Sequence, residues 1–283
     1  MSHLSLLFPG QGSQSLGMLK ELSENFSEVH TIFSRASAVL NYDLWDLTQN
    51  GPVERLDQTE FTQPALLAAD IAAFAHWKST HSETPLFFAG HSLGEYAALV
   101  AAESLLFEDA IALVAKRGKY MQEAGHGAMA AIVGLDDVTV IDLCAETAGV
   151  VSPANFNSIG QIVIAGEVTA VENVIELAKK HGAKIAKKIP VSVPSHCMLM
   201  QSAAEKMAEA LKSITIKKPV IPVVHNFDVK THEDPDSIRN ALIQQLIAPV
   251  HWVETIQFIR AQGVTEFFEC GPGKVLMGLN KRI

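Results

Sequence analysis

A short apolar strand, residues 86–89, runs straight into Gly90-His91-Ser92-Leu93-Gly94, and an alanine-rich helix-forming segment follows. Strand, tight turn and helix in that order form the local pattern of a nucleophile elbow, in which a sharp turn exposes one serine hydroxyl. The flanking glycines permit the close backbone approach that such a turn needs. Ser92 then stands at a helix N-terminus, where unpaired N–H groups attract an anion. The same five residues also read as a plain strand-to-helix turn with Ser92 as a cap, and Gly-x-Ser-x-Gly is short enough to recur by chance. The apolar strand before it and the helix after it favour the catalytic reading.

Composition narrows the setting. The 283 residues are 48% hydrophobic and 19% charged, an ordinary globular balance with length for one large domain or two unequal ones. With 22 basic against 31 acidic residues the formal charge is −9, which argues against non-specific nucleic-acid binding and a basic membrane-surface role. Cys144, Cys197 and Cys270 are far apart and odd in number, so neither a disulfide framework nor a metal site is suggested. Met1-Ser2-His3 enters an apolar strand at once, without a targeting pattern, and no run reaches the length of a membrane span. The expectation is a soluble, cytoplasmic protein, acting as a monomer.

Periodicity predicts a strand over residues 4–8 and a glycine-bearing loop over residues 9–14. The loop is not Gly-x-Gly-x-x-Gly, because Ser15 stands at the last glycine position, and no P-loop Lys follows. A helix is expected over residues 18–39, a mixed segment over 43–59, and a long helix over 65–78 begun by Thr62-Gln63-Pro64. Another helix over 107–124 carries Lys116, Arg117 and Lys119. After Gly127 the order becomes strand 128–133, helix 136–147 capped by Asp136 or Asp137, strands 150–155 and 161–165 joined through Asn157-Ser158-Ile159-Gly160, helix 169–181 and strand 183–189. That β-α-β-β-α-β order is a ferredoxin-like unit. Beyond the loop of residues 190–196, the pattern predicts a helix over 198–213, a strand over 220–226, helices over 235–247 and 253–262, and a last strand over 266–269 ending at Gly271-Pro272-Gly273. The predicted class is α/β. A hydrolase-like large domain with a central, mainly parallel sheet spans 1–125 and 196–283, and a ferredoxin-like small subdomain spans 126–195.

A serine hydroxyl needs a base at neutral pH, and histidine is the usual one. Eleven histidines are present, so abundance decides nothing. His91 adjoins Ser92 but is expected to point away from it around the turn. His196 sits in a Pro- and Ser-bearing loop before a helix, the kind of place where catalytic groups concentrate. The acid of a hydrolase triad normally falls between Ser and His in chain order. The acids there, such as Asp136, Asp137 and Glu146, read as caps and helix faces. Arg117 reads either as a solvated face residue or as a guanidinium fork for a carboxylate.

Taken in order, Phe8-Pro9-Gly10-Gln11-Gly12-Ser13-Gln14, Thr62-Gln63-Pro64-Ala65, Gly90-His91-Ser92-Leu93-Gly94-Glu95, Arg117-Gly118, Val193-Pro194-Ser195-His196, Gln244-Gln245-Leu246 and Gly271-Pro272-Gly273 resemble the malonyl-CoA:acyl carrier protein transacylases of bacterial type II fatty-acid synthesis, along essentially the whole chain. The resemblance implies Ser92 as nucleophile and His196 as base. It implies the backbone N–H groups of Gln11 and Leu93 as oxyanion hole, and Arg117 as the grip on the malonyl carboxylate. Gln245 would orient His196 through its backbone carbonyl in place of the absent acid. Gln63, Asn155 and Asn157 would line the cleft. It implies no metal and no cofactor, since coenzyme A travels with the substrate; the partners are malonyl-CoA and acyl carrier protein. Both partners are acidic, so a local basic patch is expected among Lys179, Lys180, Lys184, Lys187, Lys188, Lys217 and Lys218. Two competing readings are a serine acyl-thioester hydrolase and a non-catalytic carrier-binding module on an acyltransferase scaffold. His251 departs from the residue that many relatives carry after Pro249-Val250 and receives no role. Ser195 lies where related domains choose between malonyl and its methylated form.

Overall fold

Two sheets organise the chain. The computed structural model describes residues 3–191 and 193–283; Met1, Ser2 and Ser192, the last in the loop ahead of His196, lie outside the described residues. The strand feeding the elbow, Phe87–Gly90, is inside the first sheet. The elements run β1 (Leu4–Phe8), α1 (Lys20–Asn25), α2 (Glu28–Leu40), α3 (Leu44–Asn50), α4 (Val53–Leu56), α5 (Thr59–Thr80), β2 (Phe87–Gly90), α6 (Gly94–Ala101) and α7 (Phe107–Glu123). Next come β3 (Ala128–Val133), α8 (Asp137–Glu146), β4 (Val151–Ser158), β5 (Gln161–Gly166), α9 (Val168–Lys180) and β6 (Ile185–Lys188). The chain closes with α10 (Gln201–Lys212), β7 (Val223–Val224), α11 (Pro235–Gln244), α12 (Trp252–Ala261), β8 (Glu266–Glu269) and α13 (Val275–Asn280).

The first sheet has the order β7-β2-β1-β8 and is parallel throughout. Leu6, Leu7, Phe8, Phe88 and Ala89 are buried, as strands covered on both faces must be. The helices carry the rest of the burial. On α5, Ala65 through Ala69 are wholly buried, and each buried leucine contributes roughly 1.5–3 kcal/mol over an exposed one. The second sheet is antiparallel, in the order β4-β5-β3-β6, with α8 and α9 packed on it. That is the strand order of the expected ferredoxin-like unit. Ala130, Ile132, Val140, Leu143, Ile162, Ile164, Val171 and Val174 give it an apolar cluster of its own. Its edge strand β4 ties it back to the larger part. Phe156 N donates to Val250 O at 2.9 Å, and Val250 N donates to Ala154 O at 2.8 Å.

Several boundaries differ from those expected. The helix over 18–39 is two helices, because Leu19 is left-handed (φ 60°) and Phe26 is extended (φ −140°, ψ 93°). Helix α5 starts at Thr59, so Pro64 lies inside it rather than at its start. A proline there forfeits one backbone bond. Tertiary packing holds the early turn: at Gly118 a Cβ would come within 2.5 Å of Thr59 O, so α7 crosses α5 at backbone contact. That crossing also sets Arg117 beside Gln63. Strand β7 shrinks to two residues between Pro222 and His225, since Pro219 and Pro222 donate no ladder bond. The helix over 198–213 opens with a 3-10 turn, Met198–Met200, before α10. Asp136 caps α8 by accepting from Thr139 N at 2.8 Å.

At Gly94 a Cβ would lie 2.0 Å from Phe8 O and 2.7 Å from Phe8 C, so the helix after the elbow presses on the backbone of β1. Gly94→Ala is therefore expected to destabilise the protein by about 3 kcal/mol through overpacking against main chain that has no way to rotate aside. A urea titration that left the midpoint unchanged would contradict this packing.

Candidate active site

Ser92 adopts the left-handed conformation, φ 52°, at the exit of β2. A non-glycine residue held there stores roughly 1–3 kcal/mol of strain, which the surrounding bonds must offset. Those bonds are present. Ser92 N donates to Asn226 Oδ1 at 2.7 Å, Gln245 Nε2 donates to Ser92 O at 3.0 Å, and Asn226 Nδ2 donates to Gly90 O at 2.7 Å. The hydroxyl is thereby aimed at His196, with 2.8 Å between Oγ and Nε2.

His196 is also left-handed, φ 63°, and is 3% exposed. Its Nδ1 lies 2.6 Å from the backbone oxygen of Gln245. A carbonyl only accepts, so Nδ1 carries the proton and Nε2 presents its lone pair to the serine. Burial and the neighbouring Arg117 cation push the His196 pKa down to about 3. The imidazole is therefore neutral, and able to accept a proton, throughout the neutral range.

The Arg117 guanidinium is 1% exposed. Its NH1 donates to Gln63 Oε1 at 2.9 Å, and its NH2 donates to Gln245 Oε1 at 2.8 Å and to Ser92 Oγ at 3.2 Å. All three partners are neutral. Nε has no hydrogen-bond partner among the described residues. The group lies against Tyr96, 5.5 Å from the ring centroid. Burial lowers the Arg117 pKa, while Tyr96 and Glu95 oppose the shift. A buried cation without a carboxylate in direct contact is costly to maintain, so the site is electrostatically prepared for an anion.

These groups open onto a cleft of about 630 Å³, walled by Gln11, Thr59, Gln63, His91, Ser92, Leu93, Arg117, Asn155, Ser195 and His196, with Met121, Met129, Ile189, Val191 and Val193 as its apolar lining. The backbone N–H groups of Gln11 and Leu93 have no hydrogen-bond partner among the described residues. Leu93 precedes α6, so its N–H is one of the unpaired donors of that helix start. Asn157, expected on the cleft wall, is not there. Its Oδ1 lies 2.8 Å from His91 Nε2, because β4 continues to Ser158 and turns that side chain toward the elbow histidine. No group of three or more His, Cys, Asp or Glu among the described residues is placed to hold a metal ion.

The acyl transferase domain family model matches residues 6–281. The malonyl CoA-acyl carrier protein transacylase of Salmonella typhimurium is 53% identical over 288 residues, across 100% of this chain and 93% of that protein. The chain belongs to the malonyl CoA-acyl carrier protein transacylase family of acyl transferase domains. Among solved structures, the family member from Coxiella burnetii superposes with a TM-score of 0.98 at 54% identity, covering 100% of this chain and 91% of that one. A malonyl-transacylase in complex with its type II PKS acyl-carrier protein superposes equally well, TM-score 0.98, at 52% identity over 100% of this chain and 93% of that one.

Three residues of this centre carry no sequence-based expectation of a role: Glu95, His225 and Asn226. Glu95 is wholly buried. Its Oε1 lies 2.7 Å from His225 Nδ1, and its Oε2 accepts from Asn226 N at 3.0 Å and Gln245 Nε2 at 2.7 Å. Glu95 belongs to the elbow motif itself, but its partners lie 130 residues and more away, beyond the reach of any local pattern.

Proposed function

We propose that this protein transfers malonyl from malonyl-CoA to the phosphopantetheine thiol of an acyl carrier protein, through a malonyl-Ser92 intermediate, in fatty-acid synthesis. The observation that carries this reading is the buried guanidinium of Arg117, held by neutral partners and 3.2 Å from the hydroxyl of Ser92. A free carboxylate on the acyl group supplies the direct counter-charge that Arg117 lacks, since Glu95 reaches it only through the Gln245 amide, while the thioester carbon meets the nucleophile.

In the first half-reaction Ser92 Oγ attacks the thioester carbonyl and its proton passes to His196 Nε2. The negative oxygen of the tetrahedral intermediate is received by the N–H groups of Gln11 and Leu93, and losing one such donor typically costs about 3 kcal/mol of barrier. The C–S bond then breaks, and His196 returns the proton to the departing thiolate. In the second half the carrier thiol gives its proton to His196, attacks the malonyl ester, and Ser92 leaves. The carbonyl of Gln245 holds the imidazole in the required tautomer, the task a triad acid performs elsewhere. The reaction calls on the side chains of Ser92, His196 and Arg117 and on backbone groups of Gln11, Leu93 and Gln245, with coenzyme A as part of the substrate.

The same residues support a further electrostatic step. Free Arg117 depresses the basicity of His196. Burial is the larger cause of that shift, and a malonyl carboxylate bound to Arg117 offsets the second cause, the cation, and so raises the basicity of His196 part of the way. In the free enzyme the acid limb of kcat/KM for malonyl-CoA is accordingly expected near pH 3, far under the ordinary histidine value of about 6.5. The sign for stability follows from the same shift. The folded state holds the neutral imidazole, so the contribution is complete above about 6.5 and is lost as pH falls toward about 3. Acylation rates that halve near pH 6.5 in a titration from pH 8 downward contradict this picture.

We take 126–195 as a small subdomain carried between 1–125 and 196–283, a division supported by the separate apolar cluster under the second sheet. The site draws on one chain only, which supports a monomer as the working unit. No helix among the described residues is long and apolar enough to cross a membrane, and Cys144, Cys197 and Cys270 are free and buried; both accord with a cytoplasmic setting. Of the lysines expected to meet an acidic carrier, Lys179, Lys188 and Lys218 pair with Glu176, Glu172 and Glu233, while Lys180, Lys184, Lys187 and Lys217 are exposed and, among the described residues, in no such pair.

Incubation with malonyl-CoA and holo acyl carrier protein tests the reading. Malonyl appearing on the carrier is the expected outcome. Release of free thiol with malonate instead of malonyl-carrier establishes the hydrolase.

A further inference from the structure

The buried acid of this site does not touch His196, as a triad acid would; Gln245 stands between them, its amide on Glu95 and its backbone oxygen on His196. Glu95 sits at zero exposure on the first turn of α6, and none of its direct partners is lysine or arginine. A carboxylate buried in this way is costly unless a charge lies close by. Its direct ionisable partner is His225, 2.7 Å from Oε1, and one side-chain amide joins Glu95 to the Arg117 cation. Gln245 Nε2 donates to Glu95 Oε2 at 2.7 Å, and Gln245 Oε1 accepts from Arg117 NH2 at 2.8 Å. Opposite charges at its two ends leave the amide a single orientation, since a flip would set its NH2 against the guanidinium and its oxygen against the carboxylate. The backbone oxygen of that same residue receives His196 Nδ1–H. Glu95 also accepts from Asn226 N, and Asn226 Oδ1 holds the amide of Ser92.

We propose that Glu95 is a positioning residue for acyl transfer: its charge locks the Gln245 amide against Arg117 and thereby fixes the carbonyl that orients His196. The inference rests on the reading of Ser92 and His196 as nucleophile and base. It differs from a packing role because it depends on the charge of Glu95 and on the side chain of Gln245, not on the volume of either.

Glu95→Gln keeps the shape and removes the charge. Quenched-flow mass spectrometry of Ser92 malonylation, run over a range of malonyl-CoA concentrations, reads the effect. The limiting acylation rate is expected to fall on the order of tenfold to a hundredfold, as small misplacements of catalytic groups do, while the half-saturating concentration stays near the native value. Gln245→Met, which keeps the backbone carbonyl but cuts the amide link, is expected to lose a similar factor. It also decides the matter if Glu95→Gln does not fold. The double variant is expected to lose much less than the product of the two single losses. A native limiting rate in either folded single variant overturns the proposal, and so does a double variant that loses the full product. If the native protein forms no malonyl adduct on Ser92, the functional reading itself fails; an adduct at native rate in the variants removes only the role of Glu95.

Discussion

His196→Ala is expected to slow acylation of Ser92 by about 10⁴-fold or more, the loss typical when one member of a nucleophile–base unit is removed. The native hydroxyl has a neutral acceptor 2.8 Å away, fixed in tautomer by a 2.6 Å bond to the Gln245 carbonyl. Without it, the serine keeps only the Arg117 contact at 3.2 Å, and a guanidinium donates but takes no proton. Water entering the space left by the ring is a weaker base with no fixed orientation. The other histidine on the cleft, His91, has its Nε2 held by Asn157 and, among the described residues, makes no hydrogen bond to the Ser92 hydroxyl, so it offers no substitute. The left-handed turn at His196 gives the variant no new clash, since alanine is smaller. The loss is therefore expected in kcat rather than in folding. Single-turnover acylation alongside a thermal melt separates the two. A rate within tenfold of native in a folded variant identifies a different base.

Arg117→Ala is expected to lose malonyl transfer by on the order of a hundredfold in kcat/KM, because a charge-assisted pair in a buried site is worth roughly 1.5–3 kcal/mol and more when desolvated. Acetyl-CoA is expected to respond in the opposite sense, relative to malonyl-CoA. An acetyl group brings no carboxylate, so in the native site it leaves the cation buried and unpaired; removing the cation removes that penalty. Burial, the main cause of the low His196 pKa, stays in place, but the substitution deletes the second cause, the Arg117 charge, so the acid limb of kcat/KM moves up part of the way from about 3. Two independent readouts, acyl preference and pH profile, thus follow from one side chain. Gln63 and Gln245 lose a donor in the variant, which adds a modest stability cost. An unchanged malonyl-to-acetyl ratio contradicts the carboxylate grip.

The legible part of the structure is local. The elbow reads directly from Gly90-His91-Ser92-Leu93-Gly94, because strand, turn and helix are contiguous. The β-α-β-β-α-β order of the second sheet reads from its glycine and asparagine turns and the change of period between them. Boundaries governed by tertiary contact were out of reach. Pro64 is a good helix start by composition, yet α5 begins at Thr59 because α7 crosses it there at Gly118. Helix α13 after Gly271-Pro272-Gly273 is six residues long and shows no cap signal, so nothing local marks it. The functional centre divides the same way. Ser92 announces itself in one motif, while the role of Leu93 beside it comes with the resemblance. His196, Arg117 and Gln245 become partners only through resemblance, since no spacing rule links positions 25, 104 and 153 residues from Ser92. No local pattern marks Glu95, His225 and Asn226, because a buried polar network is defined by what meets in space.

Mass spectrometry of the protein after brief exposure to malonyl-CoA, with peptide mapping, tests nucleophile and acyl group together. One malonyl group on Ser92, absent in Ser92→Ala and removed on addition of holo acyl carrier protein, is the predicted result. An unmodified Ser92, or an acyl group on any other residue, contradicts it.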